Sequence, residues 1–391
     1  MPTHAAIPAE LHCGQRRYVE RAWFRFVASG TRLVARAALA LAMAARPSEG
    51  AAATPSYSEH QDLSYYLTED GEKAPIDSPA DWQLRRRHII EHVESVMGRF
   101  PRPGTPIPLE MEVLEEKEFD LFIRRKIAYH TDSSAARVTA WLFIPTAIAE
   151  ARRPAMLCLH QTVQIGKDEA AGLGGNPHLD FAAEMAERGY VALAPDYPSF
   201  GEYPYEFDRD DYVSGSMKAV YDNSRAVDLL QSLPEVHADR IGCIGHSLGG
   251  HNAIFTALFE PRLKAIVSCC GFTQFPNYYD GDLRGWTTPR YMPRIASKYG
   301  SDPKRVPFDF TELVAALAPR PFLAVAPLED SNFDNAGVRV VMEAAEPIYR
   351  LHNQSKHLVA DYPLGGHDFP DDSRRRAYQF LDQCFEHQPS D

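Results

Sequence analysis

From residue 154 to the C-terminus, short continuous apolar runs alternate with segments of helical periodicity. Runs of this kind are typical of strands that are buried on both faces, as in a parallel sheet covered by helices. The predicted strands lie at residues 154–160, 190–195, 240–245, 263–269, 321–327 and 357–362. The predicted helices lie at residues 178–189, 215–232, 249–260, 335–352 and 373–386. This alternation predicts a doubly wound, three-layer α/β fold with a mostly parallel sheet.

The part of the chain before residue 154 predicts an N-terminal helical and hairpin extension of that sheet. Apolar residues recur near the 3.6-residue period between Asp81 and Met97, which predicts a helix there. Three strand candidates follow, of which the first two are consistent with a hairpin, at residues 109–119, 121–130 and 137–144.

One connection interrupts the regular alternation. Nearly fifty residues, about 271–318, separate two predicted core strands and are rich in aromatic side chains. A connection of this length is typically a lid or a binding segment. The predicted organisation therefore has three parts, which are a leader at 1–53, a linker with the N-terminal helix at 54–108, and an α/β domain at 109–391 that carries the lid.

The leader has the layout of a secretory signal. Residues 37–45 form a short apolar run after Arg32 and Arg36, and residues 51–53 are three alanines suited to cleavage. The run is too short to span a bilayer. We therefore predict export to the periplasm or the medium, with no membrane span. About thirty residues precede the run, which is long for such a signal, so a cytoplasmic location is the alternative.

Composition narrows the class of protein. The formal net charge of −12 argues against a nucleic-acid partner, which usually requires a basic surface. None of the six cysteines shows zinc-ligand spacing, so the sequence predicts no metal site. No organic cofactor is predicted either, and the sequence says nothing about the oligomeric state.

The motif Gly245-His246-Ser247-Leu248-Gly249 directly follows an apolar strand and directly precedes an apolar helix. In this context the motif is typical of a nucleophile elbow, in which small residues flank a serine on a strained turn. We therefore predict the α/β-hydrolase fold with Ser247 as nucleophile. A glycine-rich turn that binds phosphate is the alternative, but the other glycines and the lysine of such loops are missing.

A serine hydroxyl needs a base, and this fold orders its triad as serine, acid, histidine. His367 follows the last predicted strand on a glycine-containing loop, which is the position expected of the base. Asp330 follows the preceding strand and is the predicted acid, with Asp334 and Glu329 as alternatives. The acid would hold the tautomer of His367 and stabilise the imidazolium.

The oxyanion hole is predicted from two backbone N–H groups. One belongs to Leu248, which follows the nucleophile, and the other to Gln161, in the loop after the strand at 154–160. His160 is expected to shape that loop. The candidates for substrate contact are aromatic residues of the predicted lid that could equally form its core, namely Tyr278, Tyr279, Trp286 and Tyr291.

Several segments resemble bacterial α/β-hydrolases of the acetyl xylan esterase-like and dienelactone hydrolase-like families. They are the helix from Trp82 with VMGRFP, LHQT at 159–162, APDYPSFGEY at 194–203, IGHSLGGHNA at 244–253, APLEDSNFD at 326–334 and GGHDFP at 365–370. The resemblance runs from about residue 80 to the end and implies the triad Ser247, Asp330 and His367. Dienelactone hydrolases use a cysteine nucleophile, so the serine argues against lactone hydrolysis.

These features predict a serine-dependent carboxylic ester hydrolase that works through an acyl-enzyme. Its substrate would be a small ester or an acetylated carbohydrate. Two alternatives are a serine peptidase of the same fold and a non-catalytic binding protein on a hydrolase scaffold. The peptidases usually carry a large N-terminal propeller, for which the N-terminal part of this chain is too short.

Overall fold

The computed structural model describes residues 54–102, 105–132, 136–146, 152–207 and 212–389. The predicted leader, residues 1–53, lies outside these ranges, so its export function stays a prediction. Within the described ranges, no helix is both long enough and apolar enough to cross a lipid bilayer.

The segment predicted as a linker is packed against the first helix. Strands β1 (Tyr65–Leu67) and β2 (Lys73–Pro75) form a small antiparallel hairpin, and the side chains of Tyr57 and Leu63 are buried. Helix α1 (Pro79–Met97) begins two residues earlier than predicted, because the Ser78 hydroxyl caps it by accepting the backbone N–H of Asp81. Proline is well suited to the first helical position.

All nine predicted strands from residue 109 onward form one sheet. They are β3 (Glu112–Glu118), β4 (Phe122–Tyr129), β5 (Val138–Pro145), β6 (Arg153–Leu159), β7 (Val191–Pro195), β8 (Val236–His246), β9 (Leu263–Cys269), β10 (Phe322–Val325) and β11 (Leu358–Asp361). Their spatial order is β11-β10-β9-β8-β6-β7-β5-β4-β3. Strands β6 to β11 pair in parallel, whereas β3, β4 and β5 pair antiparallel and β5 meets β7 antiparallel.

Helices cover both faces of this sheet. They are α2 (Phe181–Glu187), α3 (Gly215–Ser232), α4 (Leu248–Phe259), α5 (Arg294–Ser297), α6 (Phe310–Ala315), α7 (Asn335–Leu351) and α8 (Asp371–Phe385). One core layer contains residues of α1, α3, α4, α6 and α7, and the other contains residues of α2 and α8. This three-layer arrangement confirms the predicted fold class.

Two local differences from the predicted elements have clear causes. The predicted helix at 178–189 is split, because Asn176 caps a separate 3₁₀ turn, Pro177–Leu179, before α2 begins. The predicted lid contains short helices that the sequence did not reveal. In particular, α6 starts with a capping box in which Asp309 and Glu312 satisfy each other's backbone N–H groups.

Candidate active site

The turn between β8 and α4 consists of Ser247 alone. Its backbone has φ +54° and ψ −116°, a conformation that residues with a Cβ rarely adopt and that costs roughly 1–3 kcal/mol. The turn is held from both sides, since the N–H of Ser247 donates to the carbonyl of Cys269 and its own carbonyl accepts the N–H of His251. The strain presents the hydroxyl at the carboxyl edge of the sheet.

Two glycines of the motif are required by close backbone contacts. A Cβ on Gly245 would lie 2.3 Å from the carbonyl carbon of Gly249, and a Cβ on Gly249 would lie 1.8 Å from the backbone oxygen of Leu159. Any larger residue at either position would push the elbow apart. The spacing of the motif therefore follows from the way α4 leaves the sheet across β6.

The structure brings Ser247, His367 and Asp330 into one hydrogen-bonded chain. The Oγ of Ser247 lies 2.9 Å from Nε2 of His367, so the hydroxyl can donate to the imidazole. The Nδ1 of the same ring lies 3.0 Å from each carboxylate oxygen of Asp330. The Asp330 carboxylate is fixed in turn, because its Oδ1 accepts the backbone N–H groups of Asn332 and Phe333.

Electrostatics favour an ion pair between Asp330 and His367. Burial disfavours the charged form of Asp330, but the hydrogen bonds from His367 and the backbone outweigh it and lower the pKa of this carboxyl. Burial likewise disfavours a charged His367, yet the contact with Asp330 raises the pKa of the imidazole above its usual value. An imidazolium formed by taking the serine proton would thus be stabilised.

The two alternative acids have other surroundings. The Oδ1 of Asp334 accepts the N–H of Ala336 and caps α7, while its other oxygen accepts the side-chain amide of Asn277. Glu329 is exposed. Of the three candidates, only Asp330 is within hydrogen-bonding distance of His367 among the contacts that the described residues make.

A pocket of about 350 Å³ opens at the nucleophile. Its walls are formed by Gln161, Thr162, Ser247, Leu248, His251, Tyr278, Gly285, Trp286, Tyr291, Asn332, Phe333 and His367. Three of the four aromatic candidates therefore reach the pocket. The fourth, Tyr279, does not line it and is 56% exposed, because left-handed backbone at Tyr279 and Asp280 turns the chain outward. Asn332 and Phe333 were missed, although they follow the predicted acid directly.

Both predicted oxyanion donors lie at this pocket. Leu248 is the first residue of α4, where a backbone N–H has no acceptor within the helix. Gln161 also lines the pocket, but its side-chain amide donates to the buried carboxyl of Glu169 at 2.8 Å, and its backbone N–H also bonds to that group. The Gln161 donor assignment thus stays a prediction, with Glu169 as a competing acceptor.

A buried ion pair fixes the loop that carries Gln161. The ammonium of Lys167 lies 2.9 Å from Oδ2 of Asp196, and both side chains are fully buried. The Oδ1 of Asp196 accepts the backbone N–H of Lys167, and its Oδ2 accepts the hydroxyl of Thr139. Asp196 therefore ties together the loops after β6 and β7.

Three other histidines near the elbow have no Asp or Glu within hydrogen-bonding distance among the residues that the structure describes. His160 stacks on Tyr197 at 4.3 Å between ring centroids, and burial lowers its pKa to about 4. His251 packs against Trp286 at 4.8 Å, and burial lowers the pKa of His251 to about 3. Burial also lowers the pKa of His246 to about 3, which leaves all three rings neutral. The buried position of His160 agrees with the loop-shaping role expected for it.

The amino-acid sequence that forms most of this fold and the triad matches a known protein family. The model of the prolyl oligopeptidase family matches residues 177–388, which is more than half of the chain and includes Ser247, Asp330 and His367. The chain belongs to the prolyl oligopeptidase family. Its N-terminal part lies outside that match and consists, where described, of the α1 region and the first strands.

Relatives of this prolyl oligopeptidase family member include esterases. The Bacillus subtilis (strain 168) protein YtaP is 25% identical over 76% of this chain and 97% of its own length. The 4-O-methyl-glucuronoyl methylesterase 1 of Wolfiporia cocos is 24% identical over 91% of both chains.

Solved structures confirm the fold. The glucuronoyl esterase from Solibacter usitatus superposes with a TM-score of 0.67 at 18% identity, covering 85% of this chain and 99% of that one. Acetyl xylan esterase 1 from Thermoanaerobacterium shares the fold at a TM-score of 0.50 and 18% identity, over 79% of this chain and 95% of its own. The predicted resemblance to α/β-hydrolases of the acetyl xylan esterase type is thereby confirmed.

Proposed function

We propose that this chain is a serine carboxylic ester hydrolase in which Ser247 is the nucleophile, His367 the base and Asp330 the acid. The observation that supports it most strongly is the continuous hydrogen-bonded chain from the Ser247 hydroxyl through both nitrogens of His367 to Asp330. The Ser247 end of this hydrogen-bonded series opens into a pocket that can admit a small ligand. Its relatives include enzymes named as esterases.

In the proposed reaction, Ser247 attacks the ester carbonyl while Nε2 of His367 takes the hydroxyl proton. The N–H of Leu248 stabilises the oxyanion, and the Gln161 N–H is the predicted second donor. His367 then returns its proton to the leaving alcohol, which yields an acyl-enzyme. Water activated by the same imidazole hydrolyses that intermediate, and Asp330 stabilises the imidazolium in both steps.

The pocket favours a neutral ester with a small or carbohydrate portion. Among the residues that line it, no Asp, Glu, Lys or Arg is present, so there is no fixed charge to neutralise an ionic substrate. Tyr278, Trp286 and Tyr291 offer ring faces, and Thr162 and Asn332 offer polar groups. This combination suits a sugar ring, which has apolar faces and polar edges. Residues 271–318 supply three of the four Tyr, Trp and Phe side chains in the pocket lining, which supports their function as a lid.

A peptidase activity is the second candidate, because the matching family is named for an oligopeptidase. An enzyme that removes residues from a peptide N-terminus needs an acceptor for the terminal ammonium group, and an acidic side chain is the usual partner for such a cation. Among the described residues, none that lines the pocket is acidic. We therefore place ester hydrolysis first.

The test is hydrolysis of nitrophenyl acetate by the wild type and by Ser247→Ala, with Ser268→Ala as control. Ser268 lies on β9 and is buried, so both variants lose one hydroxyl at the centre of the same sheet. We expect Ser247→Ala to lose about 10⁶-fold in kcat and the control to retain activity. Retained turnover in Ser247→Ala would refute the proposal.

A substrate panel separates the two activities. Nitrophenyl esters from acetyl to octanoyl, acetylated xylosides and methyl glucuronate esters would be compared with aminoacyl and peptidyl nitroanilides. We expect short esters and carbohydrate esters to be cleaved with the higher kcat/KM. A higher kcat/KM for the nitroanilides would favour the peptidase instead.

We also propose export of the chain, on the basis of the apolar run at 37–45 and the alanines at 51–53. Mass spectrometry of the protein from periplasmic and culture fractions tests it. A mature chain that starts shortly after residue 53 is expected. Recovery of the uncleaved chain from the cytoplasm alone would contradict export.

A further inference from the structure

Three side chains that can ligate a metal ion meet beside Ser247. His246 is the last residue of β8, Cys270 directly follows β9, and His367 is the proposed base. Because β8 and β9 are parallel neighbours, their carboxyl ends place the first two side by side. The ligand atoms of all three residues lie within 4.8 Å of one another.

The imidazole of His246 lacks any hydrogen-bond partner. It is only 2% exposed, and among the described residues neither of its nitrogens finds a donor or acceptor. Buried polar atoms are normally satisfied, so an orphaned ring requires an explanation. The ring lies 4.9 Å from that of His367, centroid to centroid. A ring nitrogen of His246 with an unused lone pair therefore lies close to His367.

The thiol of Cys270 is held at the same place. It is 2% exposed, and its Sγ lies 3.5 Å from the carbonyl oxygen of Asp368, one residue beyond the base. The backbone of Cys270 has φ +49°, so the chain turns sharply where the strand ends. A neighbouring thiol, Cys269, lies 3.7 Å away.

We propose that His246, Cys270 and His367 form a binding site for Zn²⁺. Zinc takes imidazole nitrogen at about 2.0 Å and thiolate sulfur at about 2.3 Å, so ligand atoms in a tetrahedral site lie about 3.5 Å apart. The present separations, which are within 4.8 Å, would have to shorten by at most about 1.3 Å to reach that geometry. On binding, the two imidazoles donate lone pairs, the Cys270 thiol releases its proton to solvent as the Zn–S bond forms, and water takes the fourth position.

Zinc at this site would compete with catalysis. The Nδ1 of His367 stays engaged by Asp330, an arrangement that is typical of zinc-ligating histidines. The lone pair left for the metal is on Nε2, which is the atom that accepts the Ser247 hydroxyl. Bound zinc thus blocks the base reversibly. This inhibition depends on the proposed function, whereas zinc binding itself does not.

The binding test uses Co²⁺ as a spectroscopic substitute for zinc, because a Co²⁺–thiolate bond gives a charge-transfer band in the near ultraviolet. The wild type, Cys270→Ser and the control Cys384→Ser are titrated in a weakly coordinating buffer. Cys384 is a half-buried thiol on α8, away from the pocket. We expect a 1:1 band in the wild type and the control, displaced by Zn²⁺, and none in Cys270→Ser. Absence from the wild type, or persistence in Cys270→Ser, overturns the proposal.

The kinetic test measures hydrolysis of nitrophenyl acetate against free Zn²⁺. We expect inhibition of the wild type that a chelator reverses, and at least about tenfold more zinc for half-inhibition of Cys270→Ser. Because the Cys270 side chain contacts His367, the zinc sensitivity of each protein is expressed relative to its own zinc-free rate. Equal zinc sensitivity of both proteins would contradict the site. If no ester is hydrolysed, the proposed function fails, and the Co²⁺ band still decides the metal site.

Discussion

Replacement of Asp330 by asparagine tests the acid of the proposed triad at a position that the structure defines closely. The Oδ1 of Asp330 accepts two backbone N–H groups, at 2.8 and 3.0 Å, so the amide oxygen of Asp330→Asn would occupy that position. The amide NH₂ would then face His367, where Oδ2 now lies 3.0 Å from Nδ1. A donor there favours the tautomer with the proton on Nε2, which cannot accept the serine proton.

The size of the effect follows from the lost charge. A carboxylate and an imidazolium about 4 Å apart attract each other by about 4 kcal/mol at an effective dielectric constant near 20. Since about 1.4 kcal/mol corresponds to a tenfold change in rate, that loss amounts to about 10³-fold. The wrong tautomer adds to it, and the same change in other triads costs about 10⁴-fold. We therefore expect kcat/KM of Asp330→Asn to decrease by a factor between about 10³ and about 10⁴.

The assay is nitrophenyl acetate hydrolysis across pH, with Asp334→Asn as the matched control. Because Asp330 raises the pKa of His367 and only the neutral imidazole acts as base, activity rises as pH passes through that pKa. Without the carboxylate this pKa falls, so the acid limb of the residual activity should move to lower pH. Asp334→Asn removes a carboxylate charge that does not contact His367, keeps an oxygen that can cap α7, and should retain activity. Less than a tenfold loss in Asp330→Asn, or an equal loss in the control, would refute the reasoning.

Three further substitutions test how the site is supported. Lys167→Met leaves the buried Asp196 carboxylate without its cation. Chemical denaturation should therefore show a free energy of unfolding that is lower by about 3–5 kcal/mol, and kinetics should show a lower kcat/KM. Glu312→Gln breaks the buried ion pair with Arg85 that joins α1 to α6. We expect the free energy of unfolding to fall by about 3–5 kcal/mol in chemical denaturation, and a decrease of less than about 1 kcal/mol would contradict this. Gly249→Ala puts a methyl group 1.8 Å from a backbone oxygen of β6. Thermal unfolding should show a loss of stability at or above the upper end of the roughly 1–3 kcal/mol typical of overpacking, and activity should fall as well.

The elements that the sequence predicted well are those whose signals are local. Most strands of the parallel sheet are apolar runs, because burial on both faces demands it. The elbow was recognisable because its motif lies directly between an apolar strand and an apolar helix, although one of its two glycines, Gly249, responds to a contact with neighbouring β6. His367 could be placed because the chain order of the triad is fixed in this fold.

The features that the sequence did not reveal depend on contacts between distant segments. The choice between Asp330 and its neighbours rests on which carboxylate meets a ring 37 residues away. The inward side chain of Tyr278 and the outward one of Tyr279 follow from left-handed backbone in an irregular loop. Likewise, the pairing of Lys167 with Asp196 joins two loops that no periodicity connects.

Reaction with a fluorophosphonate tests the central claim most directly, because the reagent phosphonylates only a serine that a base has activated. Intact-protein mass spectrometry and peptide mapping would be carried out on the wild type and on His367→Ala. We predict one adduct per chain, located on Ser247, with parallel loss of esterase activity, and labelling that is much slower in His367→Ala. An unlabelled wild type, an adduct at another residue, or equally fast labelling of the variant would contradict the account.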